Sequence, residues 1–308
     1  MNFLYFTDFH GRVTAPRSRT DDYQAALLRK LDEIDRIRQE RKVHFMWFGG
    51  DLFDTVNPPL GLWVKMATRM RNWELYGNCG SHDYQGYQLA TIPETGVGYL
   101  EQWGIFHVLD RVGQDFEEGD TRVRVVGIPH LDGLTAEDLS VKKGEEDYLV
   151  ELVHGDIVLN PVPWPHILIS DIHTEADLVL IGHYHHGFDP VKIGNTVFAH
   201  PGSVARTEIG EWDVEPAVYF ISAESDPPLW PEKIKLQDVT PSSEVFRAVE
   251  SESGQEVSLE EFIESIQKLK QTNTGATLRD VVRTVGVRFP QPAVNCVLQK
   301  IEAHQEER

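Results

Sequence analysis

The sequence predicts a layered α/β protein, and three observations carry that reading. A strand-helix-strand unit opens the chain, the same alternation continues through residue 128, and residues 148–222 are dominated by short apolar runs ending at Gly, His or polar clusters. Phe3-Leu4-Tyr5-Phe6 and Val43-His44-Phe45-Met46-Trp47-Phe48 have strand length, and Tyr23, Leu27, Leu31, Ile34 and Ile37 between them recur at helical spacing. Residues 63–73 predict a second helix, and 105–109 and 122–128 further strands. In the strand-rich half the expected strands are 149–153, 178–181, 197–199 and 218–221.

A length of 308 residues allows one large domain, or one with a small appendage, at roughly 150 residues per domain. Hydrophobic residues at 41% and charged residues at 25% exclude disorder, collagen and coiled coil as descriptions of the whole chain. Linker-like composition at 224–228 and 251–254 divides a main domain, 1–223, from an accessory one, 224–308. In the accessory part, 233–236 and 245–249 predict strands. Leu259, Phe262, Ile263, Ile266 and Leu269 form a helical stripe, which Ser258 and Glu261 open as a capping box.

Charge narrows the partners. Lys and Arg total 29 against 49 Asp and Glu, a net charge of −20, which opposes phosphate backbones, so nucleic acid would need local help. No run of about 18 apolar residues occurs, and Met1 to Asp8 lacks the basic start and cleavage site of a signal peptide, so no membrane partner and a cytoplasmic location are expected. Cys79 and Cys296 lack metal or disulfide spacing and are expected to be reduced and structural. Trp47, Phe48, Trp63 and Trp73 fall on apolar faces, as core rather than as a stacking platform. The acidic runs 115–120 and 144–147 are expected to be solvated loops.

The chemistry gathers at predicted strand ends, where loops meet in α/β folds. Asp8-Phe9-His10, Gly49-Gly50-Asp51-Leu52-Phe53-Asp54, Gly80-Ser81-His82-Asp83, His154-Gly155-Asp156 and Gly182-His183-Tyr184-His185-His186 share that position. Residues two apart in a strand point the same way, so Asp8 with His10, and His183 with His185, could each converge on one point. Carboxylates mixed with imidazoles suit Mn²⁺, Fe or Zn²⁺, and they exceed one tetrahedral shell, so two ions are the economical reading. Such a pair, roughly 3.5–4 Å apart, is a recurrent solution for phosphoester hydrolysis. His166, His173, His186 and His200 are expected to be structural, and 127–130 either lines the cleft or forms a strand-end turn.

Asp8-x-His10, Gly50-Asp51, the Gly-x-His-Asp block at 80–83, His154 and Gly182-His183-x-His185, in this order over residues 3–186, resemble the calcineurin-like metallophosphoesterases. Within that superfamily, Gly49-Gly50-Asp51-Leu52-Phe53-Asp54 followed by Pro58, and His200-Pro201-Gly202-Ser203-Val204-Ala205-Arg206, look like the SbcD-type double-strand-break repair nucleases. The resemblance implies a β-sandwich flanked by helices, a dinuclear Mn²⁺ site and a small C-terminal α+β cap domain over the active-site face. It implies Asp8, His10 and His185 as ligands of one metal, Asp51 as the bridge, and His154 and His183 as ligands of the second. His82 becomes a non-ligand catalytic histidine with Asp83 as its orienting partner. Ser81 stands where the family has Asn, replacing an amide oxygen ligand of the second metal by a shorter hydroxyl. Asn78, three residues earlier, is expected to be too far to substitute.

The function so implied is an Mn²⁺-dependent DNA exonuclease or endonuclease, with DNA, an SbcC-type ATPase and, as an option, a second copy of the chain as partners. Two alternatives stay open: a small-molecule phosphodiesterase or phosphatase on the same core, and a metal-poor scaffold protein. Protein phosphatases tend to show Gly-Asp-x-Val-Asp-Arg-Gly, and Asp51-Leu52-Phe53-Asp54-Thr55 lacks the Arg-Gly continuation.

Overall fold

Along the first strand, Phe3 and Tyr5 point one way and Leu4 and Phe6 the other, and all four are buried, so this strand must be covered on both faces. The computed structural model, which describes residues 1–246 apart from Tyr87 and Pro163, shows how. The elements run β1 (Asn2–Phe6), α1 (Tyr23–Glu40), β2 (Phe45–Phe48), α2 (Leu60–Met70), β3 (Leu75–Gly77), α3 (Gly96–Gln102), β4 (Phe106–Val108), β5 (Gln114–Glu118) and β6 (Thr121–Ile128). They continue with β7 (Tyr148–Gly155), β8 (Ile157–Val158), β9 (Ile167–Leu168), β10 (Leu178–His183), β11 (Phe188–Ile193), β12 (Thr196–His200), β13 (Ala217–Ser222), β14 (Glu232–Lys235) and the single turn α4 (Ser242–Val245).

Two six-stranded sheets result, ordered β14-β13-β1-β2-β3-β4 and β11-β12-β10-β7-β6-β5, beside a small β8-β9 pair. Three apolar layers hold them. Leu4, Phe6, Met46 and Phe48 meet the α1 and α2 residues Leu27, Leu31, Ile34, Met66 and Met70 on the outer face of the first sheet. Phe3, Tyr5 and Trp47 meet Val125, Val150, Leu152, Leu178 and Leu180 between the sheets. The outer face of the second sheet, Val126, Ile128, Val153, Val179 and Ile181, is closed by Leu139, Ile157, Ile169 and Ile172 from connecting segments. This is the β-sandwich flanked by helices that the family resemblance implies. Trp47, Phe48, Trp63 and Trp73 are core, as expected.

Strands β1, β2, β3 and β4 run parallel, as do β6, β7, β10 and β12, so in each sheet the carboxyl ends of these strands gather at one edge. Asn78, just past β3, ties the two edges together: its Nδ2 donates to Ile128 O of β6 and Leu152 O of β7, each at 2.9 Å. That engagement leaves Asn78 a structural bridge.

Two expectations change. The acidic run 115–120, expected to be a loop, contains the edge strand β5, in which Phe116 faces the core and Asp115 meets Arg122 and Arg124 of the neighbouring β6. The segment from 224 to 246, expected to open the accessory domain, stays on the core. There β14 pairs antiparallel with β13, and the buried Glu33 of α1 accepts from Gln237 N and Asp238 N at 2.8 Å each. The strand expected at 245–249 begins as the end of α4, and its remainder, with the helix expected from Leu259, lies outside the described residues. Among the described residues no helix is long and apolar enough to cross a membrane.

Candidate metal centre

Backbone conformation sets this site before any side chain does. Asp8, His10, Asp51 and His183 all have positive φ, at 53°, 46°, 59° and 99°, in a region that non-glycine residues seldom occupy and that clusters at functional sites. The loop after β1 is held in register with the loop after β2 by Asp8 N to Gly50 O, His10 N to Asp51 O and Gly11 N to Leu52 O. Gly50, at φ 107°, lies so close to the second sheet that a Cβ there would fall 2.5 Å from His154 Nδ1. Only glycine permits that approach.

Side chains then converge in three overlapping groups, Asp8 with His10 and His185, His10 with Asp51 and His82, and Asp51 with His154 and His183. Within each group the ligand atoms lie no more than 4.8 Å apart. In the first, His10 Nε2 is 3.0 Å from His185 Nε2 and 3.9 Å from Asp8 Oδ1. In the third, His154 Nε2 is 3.3 Å from Asp51 Oδ2 and 3.2 Å from His183 Nδ1. Asp51 Oδ2 is also 3.8 Å from His10 Nε2, so one carboxylate oxygen lies between the two sets. Ser81 Oγ donates to that oxygen at 3.5 Å, at the edge of the second set.

The period-two argument from sequence fails for one pair. His183 closes β10 with φ 99°, so His183 turns toward His154 while His185, in the following turn, turns toward Asp8 and His10. His183 and His185 thus fall in different groups of converging side chains.

The electrostatics match a cation site. Asp8 and Asp51 are buried, yet both carboxyls are held below the usual range. Burial alone would raise them, and the surrounding histidines, His154 foremost, outweigh it. Conversely, burial works against charge on His154 and His185, but Asp51 pushes the first up to about 9, and Glu211 with Asp8 does the same for the second. Burial drives His10 down to about 4. Carboxylates kept ionised in a buried setting are stabilised by neighbouring positive charge, which a divalent cation can supply in place of protonated histidines, and the mixed carboxylate and imidazole donors suit Mn²⁺, Fe or Zn²⁺.

Around this set stand residues that sequence reasoning missed as supports. Asp156 Oδ2 lies 3.4 Å from His183 Nε2, and Glu211 Oε1 2.5 Å from His185 Nδ1. Asp156 was legible within the His154-Gly155-Asp156 cluster, whereas nothing in the local sequence marks Glu211. His130 stacks near the second set, with ring centroids 5.0 Å from His183, so the 127–130 segment lines the cleft. His166, His173, His186 and His200 belong to none of the three groups.

Asp83 is placed differently from expectation. Its carboxylate accepts from Asp51 N at 2.7 Å, Leu52 N at 3.0 Å and Gly80 N at 2.8 Å, while His82 Nδ1 is paired with Asp54 O at 2.9 Å. Asp83 therefore pins the Asp51 loop, and the backbone carbonyl of Asp54 orients the histidine. Burial and the neighbouring Asp51 push the Asp83 carboxyl up to about 7.

Residues 1–187 match the family of calcineurin-like phosphoesterases. This chain belongs to that family. A calcineurin-like phosphoesterase is a metal-dependent hydrolase of phosphoesters, and the convergent carboxylates and histidines are candidate ligands for its dinuclear centre. No curated protein matches the sequence. Among solved structures, this phosphoesterase is similar to a candidate 5′-nucleotidase from Staphylococcus aureus, at 16% identity and TM-score 0.46 over 88% of this chain and 57% of that one. It is similar also to the phosphoesterase YfcE from E. coli, at 11% and 0.39 over 77% of this chain and 100% of that one. A third is the purple acid phosphatase PPD1 from yellow lupin seeds, at 12% and 0.44 over 72% and 49%. The chain thus spans little more than half the length of the first of these.

Proposed function

We propose that this phosphoesterase is an Mn²⁺-dependent DNA nuclease of the SbcD type, cleaving phosphodiesters at a two-metal centre. The observation that carries the reading is the chain of overlap among the three groups, His10 shared by the first two and Asp51 by the last two, which would suit a pair of ions with the Asp51 carboxylate within reach of both. Asp8, His10 and His185 would hold the first ion and His154 and His183 the second, with Asp51 within reach of both and Ser81 as a weak neutral donor. Such ions, when bound, supply a water nucleophile at neutral pH and neutralise the phosphate. Around them the chain's own residues orient and protonate. His82 Nδ1 must donate to Asp54 O, since a carbonyl only accepts, which leaves Nε2 as the nitrogen available to substrate; it can protonate a leaving oxygen only as the imidazolium, with a proton on each nitrogen.

Local features offset the acidity of the whole. Arg12, on the loop after His10, holds Nη1 3.0 Å from Asp54 Oδ2 and brings a partly exposed cation to the rim. Trp164 and Tyr184, half-buried rings 5.9 Å apart beside His183, offer surfaces on which bases can stack. The net charge of −20 favours a partner that supplies further grip on DNA, in the manner of an SbcC-type ATPase, and a second copy of the chain is a further candidate partner. That same charge favours a second reading, a small-molecule phosphodiesterase or phosphatase on this centre. An Mn²⁺-dependent assay comparing duplex DNA, single-stranded DNA and bis-p-nitrophenyl phosphate separates them. Cleavage of the chromogenic ester without DNA cleavage supports the second reading, and no metal-dependent hydrolysis overturns both.

A further inference from the structure

A ligand histidine that turns one ring nitrogen to a metal must place the other, and that outer contact selects the tautomer. His154 sets Nδ1 against Gly49 O at 2.7 Å, and His183 sets Nε2 near Asp156. For His185 the outer contact is Glu211, whose side chain is 8% exposed, with Oε1 2.5 Å from Nδ1. The carboxylate is itself fixed: Oε2 accepts from Thr207 N at 2.5 Å and Glu208 N at 3.3 Å, and Oε1 from Thr207 Oγ1 at 3.2 Å. The single turn Ile209–Glu211 that carries it is clamped from outside. Ser242 Oγ donates to Trp212 O at 2.5 Å, Arg206 bonds to Ser242 Oγ and Thr240 O, and Ile209 packs on Val245 and Phe246.

Resting on the two-metal reading, we propose that Glu211 is a positioning residue that holds His185 as the Nδ1–H tautomer and thereby reserves its Nε2 for the first metal. A carboxylate can only accept, so Nδ1 must carry the proton. Glutamine cannot reproduce this. Turned one way, its NH₂ faces Nδ1 and forces the ring proton onto Nε2, closing that nitrogen to a cation. Turned the other way, it confronts the two backbone N–H donors of the turn.

The test is calorimetric titration of Mn²⁺ into the full-length metal-free protein, with unfolding temperatures recorded alongside. Wild type should bind two ions. Glu211→Ala and Glu211→Gln should each weaken one ion by about 10- to 100-fold, the usual cost of losing such an outer contact, and leave the other within about twofold. Glu208→Ala, which loosens the reciprocal cap of the same turn without touching His185, should leave both ions as in wild type. In the metal-free proteins above about pH 9, imidazole ¹⁵N shifts should report His185 as the Nδ1–H tautomer in wild type and a shift toward the Nε2–H tautomer in Glu211→Gln, a change a merely structural carboxylate would not produce. Wild-type affinity in both Glu211 variants, or an equal loss in Glu208→Ala, overturns the proposal alone. A wild type that binds no ion overturns the two-metal reading with it.

Discussion

His82 and Ser81 are neighbours with opposite expected consequences. His82 Nδ1 is engaged by Asp54 O and its ring sits 5.0 Å from that of His10, so truncation removes a group facing substrate without removing the proposed ligands of either ion. His82→Ala should keep both ions by elemental analysis while hydrolysis falls about 10²-fold or more; equal loss of metal would make it a ligand. Ser81→Asn should act the other way. An amide oxygen reaches further than the hydroxyl now 3.5 Å from Asp51 Oδ2, so activity at low Mn²⁺ should rise, and an inactive but folded variant would show that the loop has adapted to serine. At this scale the inward-facing residues were legible because motif order preserves them. Glu211 was not, because its contact with His185 spans 26 residues and follows no spacing rule, and Asp83 was misassigned because sequence adjacency to His82 says nothing about three backbone donors across the loop.

Strands and helices were legible where burial imposes a period. Strand β1 and helix α1 announce themselves through Phe3 to Phe6 and Leu27 to Ile37, while β3 is too short to show a period. The edge strand β5 hides its single core contact, Phe116, among carboxylates that face water and Arg122. Strand β7 holds a different anomaly. Glu151 is wholly buried there, Thr174 Oγ1 donates to its Oε1, and Oε2 has no hydrogen-bond partner. Burial pushes its carboxyl well above the ordinary glutamate range, up to about 7. A raised folded pKa means that stability is fully present below the unfolded value and is lost as pH rises through the folded one. Glu151→Gln keeps an acceptor for Thr174 and cannot ionise. Its stability relative to wild type should therefore grow between about pH 5 and about pH 8, by on the order of 1–3 kcal/mol in urea titrations. An unchanged difference across that window would show that Glu151 ionises freely in the fold.

Two of the three groups of candidate ligands draw on both sheets: Asp8 and His10 from the first with His185 from the second, and Asp51 from the first with His154 and His183 from the second. Saturating Mn²⁺ should consequently raise the unfolding free energy, by about 2.7 kcal/mol per ion at a hundredfold excess over Kd, and chelation should reverse it in a thermal scan. The charge of the whole molecule makes a separate prediction. With Arg12 as the cation paired at the Asp54 loop among the described residues, KM for duplex DNA should change no more than about tenfold between 50 and 200 mM salt. A change of about 10³-fold or more would reveal an extended basic track. The sharing of candidate ligands across the sandwich would also give the proposed ions a mechanical part. Bound as proposed, they would pin the open edge of a seam already held by the Asn78 amide, by His154 Nδ1 against Gly49 O and by His183 N donating to Asp8, so that the event that arms the enzyme would also lock its two sheets in register. Protein stripped of ions should breathe along that seam first, with amide exchange quickening around Gly49 and His154 while the middle of β1 stays protected.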